Sequence, residues 1–304
     1  MNPILRLSIP VLLLAAAMLS ASAHAALKVF ACEPEWGALV QEIGGARVDV
    51  YTATTALQDP HRIEARPSLI ARARNADLVV CTGAGLEAGW LPLVIARSGN
   101  ARIQNGRPGQ FLAADHVTMR ERPAVLDRAA GDVHAEGNPH VHTDPRNIAR
   151  VGAALALRLA EIDPAGAAGH RARWQDFSAR WQAAIARWQQ QAAPLRGLPV
   201  AVQHRSFSYL LDWLGLREVA TLEPKPGIEP SLGHLAEVAV RLETTPARMV
   251  LRARYQSPRA AQWLAARAGV AEVVLPYTVG GAPGADDLFG LFEVTLGELL
   301  KGAR

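Results

Sequence analysis

The sequence is poor in cysteine and in aromatic residues, and it has no clustered block of basic residues. Only 2 of its 304 residues are cysteine and 6% are aromatic, whereas 50% are hydrophobic and 20% are charged. This composition excludes an intrinsically disordered chain and a collagenous one. The formal net charge is +4, but the arginines are scattered, and nucleic-acid binding needs a concentrated basic face. We therefore predict a globular protein without a nucleic-acid partner.

The first 25 residues are predicted to be a cleavable signal peptide. Arg6 supplies a positive charge, residues 7–19 form an apolar segment, and Ala23-His24-Ala25 fits the small-x-small cleavage pattern. The apolar segment is shorter than the roughly 20 residues that a transmembrane helix needs. We therefore expect an exported, periplasmic protein whose mature chain begins near Ala26.

Short strand-like segments alternate with helix-like segments along the mature chain, which is typical of α/β proteins with mostly parallel sheets. The alternation stops for one long helical segment and then resumes. We predict an N-terminal α/β lobe over residues 26–163, a long connecting helix over 164–193 and a C-terminal α/β lobe over 194–304. Each lobe is expected to contain a mostly parallel sheet flanked by helices, with a cleft between the lobes.

The predicted connecting helix has an apolar stripe with a tryptophan every seven residues, at Trp174, Trp181 and Trp188. We expect this stripe to pack on both lobes of a monomer. The alternative is a coiled-coil seam with a partner chain, although three heptads are few for a coiled coil.

The two cysteines, Cys32 and Cys81, each lie at the end of a strand-like segment. If these strands are neighbours in a parallel sheet, their ends come close enough for a disulfide. The oxidising compartment favours this bond, and two buried free thiols are the alternative.

Three histidines, His61, His140 and His204, lie in loops beside proline or directly after a strand. Ligands of open α/β sheets bind beyond the carboxyl ends of the strands, so the three imidazoles are expected to meet in the cleft. Imidazoles without partnered cysteines suit a borderline ion such as zinc. Each histidine taken alone is also compatible with a hydrogen-bonded structural role. His170 and His234 lie on predicted helices and are interpreted as structural.

The motifs around these histidines resemble those of the substrate-binding proteins of zinc and manganese ABC transporters. The similar segments are Asp59-Pro60-His61 with Arg66-Pro67-Ser68, the run from Asn138 to Pro145, His204 with residues 206–209, and residues 284–289. The resemblance implies an interlobe metal site and delivery to an ABC permease in the inner membrane. It also implies zinc, because manganese members tend to carry glutamate at the position of His204.

The sequence departs from this family at two places. Many members have a carboxylate ligand after the last strand, but residues 274–278 contain no acid, which leaves the fourth position to water, Asp286 or Asp287. Many zinc members also have a histidine-rich loop, whereas here residues 114–137 contain only two histidines. His134 and His142 are auxiliary metal candidates, and a solvated or supporting role is the alternative.

The predicted function is therefore high-affinity binding of Zn²⁺ in the periplasm and its delivery to a permease, without catalysis. The alternatives are a binding protein or metallochaperone for manganese, copper or nickel and, less favoured, a three-histidine zinc hydrolase. The sequence contains neither an HExxH motif nor a Gly-x-Ser-x-Gly turn to support hydrolysis.

Overall fold

The computed structural model of the chain describes residues 25–124 and 131–304. The predicted signal peptide lies outside the described residues, except for Ala25. The strands are β1 (Leu27–Ala31), β2 (Val48–Thr52), β3 (Leu78–Cys81), β4 (Gln110–Leu112), β5 (Pro199–Val202), β6 (Arg217–Thr221), β7 (Met249–Ala253) and β8 (Ala271–Leu275). The α-helices are α1 (Pro34–Gly44), α2 (Pro67–Arg74), α3 (Leu91–Ser98), α4 (Pro145–Ile162), α5 (Ala167–Gln191), α6 (Ser208–Leu214), α7 (Leu232–Thr244), α8 (Pro258–Ala268) and α9 (Leu288–Gly302).

The strands form two four-stranded parallel sheets with the same topology. The first has the order β2-β1-β3-β4 and the second β6-β5-β7-β8. Helices cover both faces of each sheet, so the central strands are buried on both sides and are continuously apolar, as in Leu78–Cys81. The predicted two-lobe α/β fold is thus confirmed. No helix in the described ranges combines the length and the apolar character that a membrane crossing requires.

The long helix α5 has 25 residues and joins the two lobes. It packs on α1 and α4 of the first lobe and on α9 of the second. The contacts with α9 are aromatic, with ring centroids 4.9 Å apart for Trp181 and Phe289 and 5.3 Å apart for Trp188 and Phe292. The apolar stripe therefore packs on both lobes, as predicted, and Trp181 and Trp188 are fully buried within their own chain.

The two cysteines lie on neighbouring parallel strands. Val29 of β1 pairs with Leu78 of β3, so Cys32, directly after β1, comes level with the end of β3 at Cys81. Their Cα atoms are 4.8 Å apart and the sulfurs form a disulfide. The predicted bond is confirmed, and the alternative of two free thiols is wrong.

A buried polar contact joins the two lobes below the cleft. Glu35 of α1 accepts a hydrogen bond from the hydroxyl of Thr278, which follows β8. His142 donates from Nε2 to the carbonyl of Tyr277 at 3.0 Å, and its Nδ1 lies 3.2 Å from Glu35 Oε1. All four residues are buried, so this contact and the helix α5 together fix the two lobes against each other.

Candidate metal centre

The structure brings the three predicted histidines together at the cleft. Ligand-capable atoms of His61, His140 and His204 all lie within 4.8 Å of one another. Their ring centroids are 5.2 to 5.9 Å apart. His61 lies in a single 3₁₀ turn (Pro60–Arg62) of the first lobe, His140 directly before another (Val141–Thr143), and His204 follows β5 of the second lobe. The cluster thus spans the cleft. This is the arrangement that we expected from the positions of the three histidines beyond the ends of strands.

His61 and His140 are held by the same local turn. In each case the side chain two residues earlier accepts from both the backbone N–H and the ring Nδ1 of the histidine. Asp59 Oδ1 lies 3.0 Å from His61 N and 2.8 Å from its Nδ1. Asn138 Oδ1 lies 3.0 Å from His140 N and 2.7 Å from its Nδ1. A proline lies between the two residues in each motif, and its ring fixes its own φ angle. Each motif therefore orients the imidazole of its own histidine.

His204 has the same kind of partner, supplied from a different part of the chain. Glu223 Oε2 lies 2.7 Å from His204 Nδ1. Glu223 comes directly after Leu222, at the end of the neighbouring strand β6, and its backbone N–H donates to Gln203 O at 3.1 Å. Parallel pairing of β5 and β6 therefore brings this carboxylate to His204.

These hydrogen-bond partners determine which ring nitrogen of each histidine carries the proton. Each Nδ1 carries the proton that it donates, so each Nε2 keeps its lone pair for a metal ion. His140 Nε2 is buried and has no hydrogen-bond partner among the described residues. A buried nitrogen acceptor of this kind is costly to leave unsatisfied, and coordination of a cation would satisfy it.

A fourth imidazole, that of His134, lies beside this cluster. His134 Nε2 is 3.2 Å from His61 Nε2, and the ring centroids are 5.3 Å apart. The ring also packs on Gly85, where a Cβ atom would lie only 2.9 Å from His134 Nδ1. The segment 131–137 thus carries a further imidazole to the edge of the cluster, although His134 is not part of the group formed by His61, His140 and His204.

Burial keeps two of these rings neutral. It lowers the pKa of His140 well below its usual value, and the neighbouring His204 and His61 add to the effect. Burial, followed by the nearby His61, lowers the pKa of His134 to about 4. A neutral imidazole is the form that binds metal ions, so no proton has to leave either ring at neutral pH.

The other auxiliary candidates lie elsewhere. His142 is fully buried behind the cluster, with its ring nitrogens facing Tyr277 and Glu35. Asp286 and Asp287 are exposed, and Asp287 caps α9 by accepting from Gly290 N at 2.7 Å. Among the described residues, the ligand-capable group in the cleft contains none of these three.

The entrance to the cluster is acidic. A cavity of about 200 Å³ opens beside His61 and His204. Four carboxylate side chains line it, those of Asp59, Asp132, Glu223 and Glu229, against one lining arginine. This excess of negative charge raises the local concentration of cations.

The family of the chain follows from its match to a family model. The model of zinc-uptake complex component A, periplasmic, matches residues 29–302. The chain belongs to this family. Its members are periplasmic metal-binding components of ABC uptake systems, and the two-lobe fold with a histidine cluster in the cleft agrees with this membership. No significant relative is found among the curated proteins.

Solved structures with the same fold hold different metal ions. A ZnuA deletion mutant with zinc bound is 24% identical, with a TM-score of 0.73, and the match covers 92% of this chain and 99% of that one. FpvC from Pseudomonas aeruginosa in complex with Mn²⁺ is 23% identical, with a TM-score of 0.76 and coverage of 90% and 99%. A cadmium-bound periplasmic metal-binding protein from Candidatus Liberibacter asiaticus is 17% identical, with a TM-score of 0.73 and coverage of 91% and 99%.

Sequence reasoning missed the supporting residues of the site. Asp59 and Asn138 stand in the quoted motifs, and their shared position two residues before a histidine was the available signal. Glu223 follows a strand of its own, and only the pairing of β5 with β6 connects it with His204.

Proposed function

We propose that this protein binds Zn²⁺ in the periplasm and delivers it to an ABC-type permease of the inner membrane. The observation that carries the proposal is the donor set, because His61, His140 and His204 form one group of ligand-capable nitrogens, and His134, outside that group, lies 3.2 Å from His61 as a fourth imidazole. Four nitrogen donors fit the tetrahedral preference of zinc. The disulfide supports export to an oxidising compartment.

The same donor set disfavours manganese. Manganese prefers carboxylate, carbonyl and water ligands. The carboxylates that contact the cluster, those of Asp59 and Glu223, are engaged at the Nδ1 atoms of His61 and His204. They act as hydrogen-bond acceptors that orient the imidazoles and raise their basicity, which strengthens nitrogen coordination.

Binding and release of the ion are expected to involve the acidic entrance, the imidazoles of the cluster and the segment that carries His134. The acidic entrance attracts the hydrated cation, and the preoriented imidazoles replace its water ligands. His61 and His140 hold the ion from the first lobe, His204 from the second, and His134 completes the shell. Release to the permease then requires the loss of one ligand. His134 is the best placed for this because it belongs to a loop segment.

The first test is a calorimetric titration of metal-stripped mature protein with zinc. We expect one tight site, a loss of at least about 100-fold in affinity for His204→Ala, and a loss of about tenfold for His134→Ala. His234→Ala is the matched control, because His234 lies on α7 with its ring facing Glu237. Zinc binding that is absent, or indifferent to His204, would refute the proposal.

Metal preference needs a separate measurement. Copper and nickel bind tightly to nitrogen sites in vitro, so affinity alone does not identify the cargo. Manganese is expected to compete weakly with zinc, and protein isolated from the periplasm is expected to contain zinc. Tight manganese binding, or another metal in the isolated protein, would contradict the zinc assignment.

A further inference from the structure

The segment that carries His134 is docked on the opposite lobe. Asp132 N donates to Pro226 O at 2.9 Å. Gly131 adopts φ +83°, and a Cβ atom there would lie 2.3 Å from the same carbonyl oxygen. The segment 131–137 of the first lobe therefore rests closely on the turn 224–228 of the second lobe.

Glu223 fixes the conformation of the turn 224–228. Gly227 N donates to Glu223 Oε2 at 2.8 Å, and the Gly227 carbonyl accepts from Arg62 Nη2 of the first lobe at 2.7 Å. Gly227 has φ +74°, and a Cβ atom at this position would collide with the Asp132 carboxylate. The turn thus presents two carbonyl groups to the first lobe, and Glu223 holds it in the conformation that does so.

One oxygen atom of Glu223, Oε2, both holds the turn 224–228 and orients His204, a predicted metal ligand. Glu223 Oε2 accepts from His204 Nδ1 at 2.7 Å as well as from Gly227 N at 2.8 Å. The side chain of Glu223 is only 13% exposed, so water competes little for these bonds. A change in the position of this carboxylate must alter both the His204 ring and the surface on which the His134 segment rests.

We propose that Glu223 is a positioning residue that couples the orientation of His204 to the docking of segment 131–137. The docked segment holds His134 over the ion and slows its release. This inference rests on the proposed zinc binding for its functional consequence, but the coupling itself belongs to the metal-free protein. Undocking the segment removes one imidazole and opens the site, whereas His61 and His140 stay in place.

The test measures zinc release to an excess of chelator by stopped flow. Glu223→Ala is expected to speed release by about 10- to 100-fold. Glu223→Gln is expected to keep the release rate close to that of the wild-type protein, because its amide oxygen can accept both hydrogen bonds. Gly131→Ala undocks the segment without touching Glu223, since the added methyl meets the Pro226 carbonyl. Gly106→Ala is the matched control, with φ +75° and no atom within 4 Å of the added carbon.

A double-mutant cycle separates coupling from general weakening. His134→Ala alone is expected to speed release, but in the Gly131→Ala background it is expected to add little, because the undocked segment no longer brings His134 to the ion. Additive effects of the two changes would overturn the inference. Release rates of Glu223→Ala and Gly131→Ala equal to that of Gly106→Ala would also overturn it.

A readout without metal distinguishes this inference from the proposed function. In metal-free protein, hydrogen exchange at the Asp132 amide is expected to accelerate in both Glu223→Ala and Gly131→Ala and to stay slow in Glu223→Gln. An Asp132 amide that stays protected in Glu223→Ala would refute the coupling, whatever metal binds. Failure of zinc to bind the wild-type protein would refute the proposed function, and the exchange result would still decide the coupling.

Discussion

Asn138 offers a way to separate the orientation of a ligand from the contact between the lobes. Its Oδ1 accepts from His140, while its Nδ2 donates to Arg205 O at 2.8 Å, to Glu121 Oε2 at 3.0 Å and to Ser208 Oγ at 3.2 Å. Arg205 and Ser208 belong to the second lobe. Asn138→Ala removes both functions, whereas Asn138→Asp keeps the acceptor for His140 and loses the donors.

The magnitudes follow from these contacts. Loss of the Nδ2 bonds at a buried position is expected to cost about 2–3 kcal/mol of unfolding free energy in Asn138→Ala, which corresponds to a fall in Tm of roughly 5–10 °C. Asn138→Asp is expected to lose more, because its second carboxylate oxygen faces the Glu121 carboxylate and the Arg205 carbonyl. Loss of the Nδ1 acceptor is expected to weaken zinc binding by about 10- to 100-fold, or about 1.4–2.8 kcal/mol. Only Asn138→Ala is expected to show this second effect, since an aspartate already supports His61 in the same turn.

The assays are thermal unfolding of the metal-free variants and zinc titration by calorimetry. Asn100 supplies the matched control, because it is buried in the first lobe and its Nδ2 donates to the carbonyls of Ala73 and Ala76. Asn100→Asp is expected to lower Tm and leave the zinc affinity unchanged. Equal losses of affinity in Asn138→Asp and Asn138→Ala would refute the reasoning, because Asn138 would then act through the lobe contact and not through the ring of His140.

Three further predictions concern the scaffold. Replacing Cys32 and Cys81 by alanine is expected to lower the unfolding free energy by about 4 kcal/mol without changing zinc affinity; equal urea midpoints would contradict this. Burial raises the pKa of Glu87 to about 7 and that of Glu33, beside it, well above its usual value. The folded state thus binds more protons than the unfolded state, so stability is lost as pH rises above about 4.5, and Glu87→Gln should raise Tm more at pH 8 than at pH 5. An equal gain at both pH values would refute the assignment. Trp181→Ala is expected to destabilise the protein by about 3–5 kcal/mol while zinc binding is retained, and urea unfolding with calorimetry measures both.

The sequence was sufficient for the scaffold because the scaffold depends on local patterns. The alternation of strand-like and helix-like segments predicted both parallel sheets but missed the three-residue strand β4, and the spacing of Trp181 and Trp188 predicted a helix that contacts both lobes. The convergence of His61, His140 and His204 also followed, since the carboxyl ends of parallel strands meet on one side of a sheet.

The supporting contacts of the site could not be predicted in the same way, because they depend on pairings between distant segments. Glu223 reaches His204 only through the register of β5 and β6. His134 reaches His61 because segment 131–137 docks on the turn 224–228, and no periodic pattern encodes such a loop contact. Asp287 looked equally suitable as a ligand in sequence, yet its carboxylate caps α9.

The rigidity of the scaffold and the docking of one segment together indicate how the proposed site would exchange its ion. The helix α5 packs on both lobes, and the buried contact between Glu35 and Thr278 joins them close to the site. A large rotation of the lobes would break this buried contact and leave polar groups unsatisfied. Undocking of segment 131–137 breaks the Asp132 hydrogen bond, the contact of His134 with His61 and further contacts near the surface. Movement of this segment is therefore the less costly opening, and it would expose the proposed metal ligands on the acidic side of the cleft.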